Sequence, residues 1–587
     1  MANKAFTDFG VDSILVTQVV QHLQDGFDSE LDPALLFEYD TLDELVAYLS
    51  AESMAVHFKH APAPQTQAPQ TQASQTQALH AQTLEMTAQD AQVNGMPEPL
   101  SNSPEPVINS PEPLSNSPES STNQDIAVIG VACRLPGSNN NDQYWQLLCE
   151  GQSAIKPLTK PRWPVHAGES YWGGWVDDID SFDADYFNIK ADDAAIMDPQ
   201  ARILLEEAVK VIFDAGYTQG ELSGQKVGVY IGGRAYADKD NMSQIMAASN
   251  PVLGLGQNYL ATNISRFLNL SGPSLVVDTA CSSGLTAASI AIDALQSGTI
   301  DMAIVGAVSL LQTPYAHQLF AARNILNKNN EFHLFDAQSN GEVLGEGCGL
   351  VLLTRRSVAV SEGAPVYGVI KALAVNNDGQ TLGPGSPSIK AQKAVLATAL
   401  NKSGYQPRDV GYIEANGGGS PVIDSIEIKT LSEIYELKNQ QLGNCYLGAI
   451  KPNVGHLLLT SGMASLIRCL LSLKYRQIPP FLSAKQPFDH YDFAASRVSF
   501  NRQVVPWPVG NSGKRVAVLN SFADGGTNCH MVLEEFVPEQ SYSQKRQPLA
   551  APNFARTAQM QEQLDQQNKN QQQQNANFWG EFIEQSV

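Results

Sequence analysis

Four short stretches carry residue types that could do covalent or proton-transfer chemistry. In Val276-Val277-Asp278-Thr279-Ala280-Cys281-Ser282-Ser283 a β-branched run ends in small residues, and Cys281 opens a helical stretch. A helix N-terminus favours the thiolate, the nucleophilic form of cysteine. The plain alternative is a cysteine packed as a small hydrophobe. Gly448-Ala449-Ile450-Lys451-Pro452-Asn453-Val454-Gly455-His456 supplies a histidine, the side chain that titrates near neutrality. Glu414-Ala415-Asn416 runs into Gly417-Gly418-Gly419-Ser420. Asn416 offers two donors and one acceptor but exchanges no proton near neutral pH. Near the N-terminus, Asp12-Ser13 precedes an amphipathic helix with Leu15, Val19 and Leu23 on one face. Such a pair commonly serves as an N-cap, and a helix N-terminus also suits a phosphodiester.

The elements that must hold these residues alternate along the chain. Asp125–Val131, Val227–Gly233, Met302–Ala307 and Gly349–Leu353 read as buried strands. Helical stretches such as Pro199–Ala215 and Gly284–Gln296 lie between them. Strands alternating with helices imply an α/β fold. Four regions follow. Residues 1–51 are apolar-patterned, with a second helix expected near Thr41 whose Leu42, Leu45, Val46 and Leu49 share a face. Residues 52–123 hold three Gln-Thr-Gln-Ala copies, then the repeats starting at Pro97, Pro104 and Pro111. Proline at that frequency blocks helix and sheet, so this is expected to be a disordered linker spanning about 45–50 Å as a random coil. Residues 124–537 form the main body. Residues 538–587 are a glutamine-rich tail in which Phe578, Trp579, Phe582 and Ile583 share the face of a possible docking helix.

The body resembles the β-ketoacyl synthases (ketosynthases) of modular polyketide synthases. Asp278-Thr279-Ala280-Cys281-Ser282-Ser283 is similar to their nucleophile motif. Lys451-x-Asn453-x-Gly455-His456 matches a second motif, and Ser521-Phe522 through Gly525-Gly526-Thr527-Asn528 matches the glycine-rich loop that closes the domain. Trp172–Asp183, Met197–Glu206 and Asn263–Ser274 agree with the family as well. The resemblance implies the thiolase fold: two pseudo-repeated α/β halves in five layers, usually a homodimer. It implies Cys281 as nucleophile, His456 as a catalytic histidine, Lys451 as a group that positions the site, and Phe522 as a gate of the acyl pocket. Residues 1–51 resemble the second half of an acyl carrier protein, which makes Ser13 the attachment point for 4′-phosphopantetheine. Only twelve residues precede Ser13, so the first carrier helix is expected to be missing and Ser13 to be vestigial unless another chain supplies it.

One motif departs from the family. Elongating ketosynthases read Glu-Ala-His-Gly-Thr-Gly-Thr-Pro where this chain reads Glu414-Ala415-Asn416-Gly417-Gly418-Gly419-Ser420-Pro421. Asn416 occupies the first catalytic histidine position, and Gly418 and Ser420 replace two threonines. Acyl transfer to cysteine needs a thiolate and oxyanion donors. Decarboxylative condensation also needs charge stabilisation at an enolate, and losing one such contributor costs about 10²–10³ in rate. The pattern therefore resembles the non-elongating ketosynthases of trans-acyltransferase systems. Two alternatives stay open: elongation using Asn416 with His456, and a noncatalytic scaffold or gatekeeper, against which Cys281 speaks.

Composition bounds the partners. The chain has 37 Lys and Arg against 60 Asp and Glu, a net charge of −23, which disfavours nonspecific nucleic-acid binding. Seven cysteines without a CxxC pair argue against a disulfide framework and a structural zinc site. There is no signal-peptide pattern and no apolar run of membrane-spanning length, so a cytoplasmic location is expected. No Gly-His-Ser-x-Gly string marks an integrated acyltransferase. The expected partners are upstream and downstream acyl carrier proteins and synthase subunits.

Overall fold

The structure is a computed structural model that describes residues 42–52 and 125–555, apart from 161, 164–169, 237–241, 328, 384 and 539–541. Ser13, the linker and the Phe578–Ile583 cluster lie outside the described residues. An eleven-stranded sheet runs through the body. Its strands are β1 (Ile126–Arg134), β2 (Val227–Gly232), β3 (Ser274–Val277), β4 (Met302–Ser309), β5 (Gly347–Arg355), β6 (Gly368–Asn377), β7 (Tyr412–Glu414), β8 (Cys445–Gly448), β9 (Val498–Ser499), β10 (Val516–Phe522) and β11 (Thr527–Glu534). Their spatial order is β9-β8-β7-β10-β11-β6-β1-β5-β4-β2-β3.

That order contains a repeat. The first half reads β3-β2-β4-β5-β1 and the second reads β8-β7-β10-β11-β6: third, second, fourth, fifth, first strand in both. The pairing sense also repeats. Third–second and second–fourth pairs are parallel, and fourth–fifth and fifth–first pairs are antiparallel. The two first strands join antiparallel where Ile126–Val128 meets Gly368–Ile370.

Six helices complete five layers: α1 (Pro199–Asp214), α2 (Tyr259–Leu268), α3 (Ser283–Gln296), α4 (Ile389–Ser403), α5 (Pro421–Ile434) and α6 (Ser461–Tyr475). Side chains of α1 and α2 such as Leu204, Val211 and Ile264 pack on one face of the first half, with Ile129 and Ile304. Val395 and Leu396 of α4 and Leu431 of α5 pack on the outer face of the second half, with Val518 and Val532. Between the halves lie α3 and α6. Leu285, Ala288, Met463 and Leu470 share one core with Val305 and Val351 of the first half and Leu519 and Met531 of the second. Because α6 is covered from both sides, its residues are buried from Ser461 to Leu473, as expected of a helix apolar all round. All nine residues of β1 are buried for the same reason, so its sequence reads as a continuous apolar run without alternation.

Helix Leu42–Glu52 is present where expected. Leu45 is buried and Val46 is exposed. Residues 542–555 lie along the first half: Tyr542 donates to the Ala364 carbonyl, Leu549 N–H to the Phe213 carbonyl, and Phe554 stacks on Phe187.

The central helices are held close. A Cβ on Gly284 would fall 2.5 Å from Met463 Cγ, and one on Gly232, at the end of β2, 2.7 Å from Gly284 N. The end of β2 therefore seats the start of α3 by backbone contact. Gly232→Ala should displace that helix start and destabilise the fold by about 1–3 kcal/mol, seen as a lowered urea midpoint together with slower alkylation of Cys281.

Candidate active site

Cys281 sits on a tight link between β3 and α3. Ser282 is the residue before the helix and Ser283 its first residue, so Cys281 lies two positions before α3 instead of opening it. The link is cross-tied. Thr279 Oγ1 lies 3.0 Å from Ser282 Oγ and 2.9 Å from Thr286 Oγ1, and Thr279 N–H donates to Ser283 Oγ at 2.9 Å. Ala280 takes a left-handed backbone at φ +53°, a conformation that costs a residue with a Cβ about 1–2 kcal/mol. Asp278 accepts the Ala280 N–H at 3.1 Å and a two-point ion pair from Arg234. Cys281 is half-buried and unpaired. Burial pushes up the thiols of Cys133, Cys348 and Cys469, and moves Cys149, Cys445 and Cys529 to about 11.

His456 follows the short helix Lys451–Val454. Its Nδ1 lies 2.6 Å from Glu342 Oε2. Cys281 is among the groups that raise the same imidazole. Lys451 Nζ donates to the Gly417 carbonyl at 2.7 Å and lies 3.4 Å from Glu342 Oε1. Burial alone lowers His456, but the facing Glu342 carboxylate overrides it and raises the imidazole to about 9. Burial likewise disfavours the Glu342 charge, yet His456 and Lys451 outweigh it and hold the carboxyl at about 2. His456 is thus an imidazolium at neutral pH.

Asn416 stands at the C-terminal end of β7. Its side-chain oxygen accepts the Phe522 N–H at 3.2 Å. Two buried carboxylates of α5 hold the loop behind it: Glu427 accepts the Asn416 and Gly417 N–H groups at 2.7 and 2.8 Å, and Asp424 accepts those of Gly418 and Gly419 at 2.8 and 3.1 Å. Burial raises Asp424 to about 7 and pushes Glu427 up. Behind Glu427 runs a chain of contacts through Asn520 and His530 to Tyr435, with His530 kept neutral by burial at about 3. Ser521 Oγ donates to the Cys281 carbonyl at 3.2 Å.

The structure brings Cys281, His456, Lys451, Asn416 and Phe522 to one place. Phe522 joins through its backbone, while its half-buried ring packs on the second outer core. Glu346 is buried and ties Arg162, Val176 and Leu311 together. Glu342 was not foreseen. It sits in an irregular segment, and its partners are more than 100 residues away.

The N-terminal β-ketoacyl synthase model matches residues 123–359 and the C-terminal model residues 367–485. A ketosynthase domain from the oxazolomycin system of Streptomyces albus is 40% identical, covering 74% of this chain and 99% of that one at a TM-score of 0.60.

The chain belongs to the β-ketoacyl synthase family.

The module 6 ketosynthase of the bacillaene synthase of Bacillus subtilis is 34% identical, covering 70% of this chain and 72% of that one, with a TM-score of 0.65. Polyketide synthase PksL of Bacillus subtilis is 39% identical over 94% of this ketosynthase chain, and PksM 34% over 95%. The chain spans only 12% and 13% of those two proteins. Residues 2–49 match the phosphopantetheine attachment site model, so 4′-phosphopantetheine is the cofactor of that segment. A serine hydroxyl is the group that forms its phosphodiester, and the bound arm supplies a thiol for acyl groups. Among the described residues no helix is long and apolar enough to cross a membrane, and no cluster of ligating side chains could hold a metal ion.

Glu342→Gln should release His456 from its counter-charge. The His456 imidazole titration, followed by NMR, should move down from about 9. The sign for stability follows. The raised imidazole stabilises the fold fully below 6.5, its ordinary value, and the gain is lost as pH rises through about 9. Thermal melts should show that loss in the wild type and a flatter profile in the variant.

Proposed function

We propose that this ketosynthase accepts an acyl chain on Cys281 and passes it, unextended, to a downstream carrier thiol. The observation that carries this reading is Asn416, a group without a transferable proton whose side-chain oxygen is already committed to the Phe522 N–H. The Cys281 thiolate attacks the thioester carbonyl of an acyl-carrier substrate. The tetrahedral oxyanion collapses and expels the carrier thiolate, which takes a proton from His456. In the second step the thiol of a downstream carrier gives its proton to His456 and attacks the acyl-cysteine, and the Cys281 thiolate leaves. The sum exchanges one thioester for another, and no carbon–carbon bond forms. Glu342 serves both steps by balancing the imidazolium and Lys451. Lys451 positions the loop through the Gly417 carbonyl. Upstream and downstream carriers and synthase subunits are the partners, with Ser13 as the attachment point of this chain's own carrier segment.

The test supplies acyl-carrier, then malonyl-carrier and a downstream carrier, and follows mass on each arm with the acyl chain isotopically labelled. The labelled acyl group should reach the downstream carrier unchanged, and Cys281→Ala should abolish both the enzyme adduct and the transfer. A two-carbon extension at a rate comparable with transfer would show that Asn416 with His456 supports elongation.

The same reading takes the ketosynthase as a homodimer. β3 ends the sheet with one side unpaired, and its Leu275 is 43% exposed. An open edge is a template for another strand, and a second copy of β3 completes it four residues from Cys281. Leu275→Glu should halve the mass seen by light scattering and slow acylation.

A further inference from the structure

The glycine run after Asn416 is packed by a side chain as well as by carboxylates. Ile423, on the first turn of α5, stands over Gly418: a Cβ on residue 418 would fall 2.4 Å from Ile423 Cγ2 and 2.8 Å from its Cβ. Non-bonded carbons need about 3.5–4.0 Å. A side chain at position 418 therefore forces Ile423 or the loop to shift. Residues 416, 418 and 420 are each half-exposed, whereas 417 and 419 are buried. The three even positions thus share the accessible side of the loop. A threonine at 418 would run its side chain into Ile423, which stands where that side chain would go.

We propose that Ile423 is a specificity-determining residue of this site, a fourth position beside 416, 418 and 420 that decides whether an acyl chain is passed on or extended. The proposal rests on the reading that the wild type transfers without extending. It predicts that reverting the three motif positions alone fails. Residue 418 then clashes with Ile423, and the clash is relayed through Asp424 and Glu427, which hold the same loop from the same helix.

The experiment compares the full chain, the triple variant Asn416→His/Gly418→Thr/Ser420→Thr, and the same variant with Ile423→Gly, using acyl-carrier and malonyl-carrier as probes. The triple variant should acylate Cys281 about tenfold more slowly than wild type, and the quadruple variant within about threefold of it. The ratio of extension to transfer should rise about tenfold from triple to quadruple. Equal ratios in the two would overturn the proposal. Should either variant fail to fold, a melting cycle decides the matter. Gly418→Ala should lower the Tm with Ile423 present and leave it unchanged beside Ile423→Gly, and equal losses in both backgrounds would overturn the contact. A wild type that extends as fast as it transfers defeats the parent reading only, and the melting cycle then still judges the contact.

Discussion

A buried carboxylate needs compensation, and at Glu342 two cations supply it. Removing an ion from water costs several kcal/mol even after relaxation. Glu342 sits between His456 and Lys451 at 2.6 and 3.4 Å: the carboxylate raises the imidazole, and His456 and Lys451 together hold the carboxyl low. The carboxylate comes from the first half of the fold and both cations from the second. One electrostatic contact thereby fixes the nucleophile's histidine, the lysine that holds the 416–420 loop, and the spacing of the two halves at the point where the chemistry occurs.

Much of this was legible in the sequence because it rests on local strings. Cys281, His456 and Lys451 fall in contiguous motifs that create a strand-to-helix link or a short helix, and the structure gathers all three. The α/β alternation was legible because strands buried on both faces are apolar throughout. The pseudo-repeat came only through family resemblance, since the halves agree in strand order and not in any string. Glu342 and the contact of Ile423 with Gly418 were not legible. Each is defined by a neighbour distant in the chain or by the volume above a residue without a side chain, and neither leaves a period or a motif.

The loop bearing Asn416 shows how the body tolerates a change at its own motif. Four of its N–H groups end on Asp424 and Glu427, carboxylates one helical turn apart on α5. Backbone hydrogen bonds do not depend on the identity of the residue that donates them. The loop keeps its path whichever side chain stands at 416, and its chemistry changes while its geometry does not.

The repeat of the strand order has a further meaning at the centre. Cys281 lies between the third strand of the first half and α3, and His456 lies between the third strand of the second half and α6. The two residues are the same place in the fold, seen twice. Both links come to one seam, where α3 and α6 meet at Gly284 and Met463. A single chain thus has at its heart the architecture of a dimer interface. A change in the packing of that seam therefore reaches both links at once.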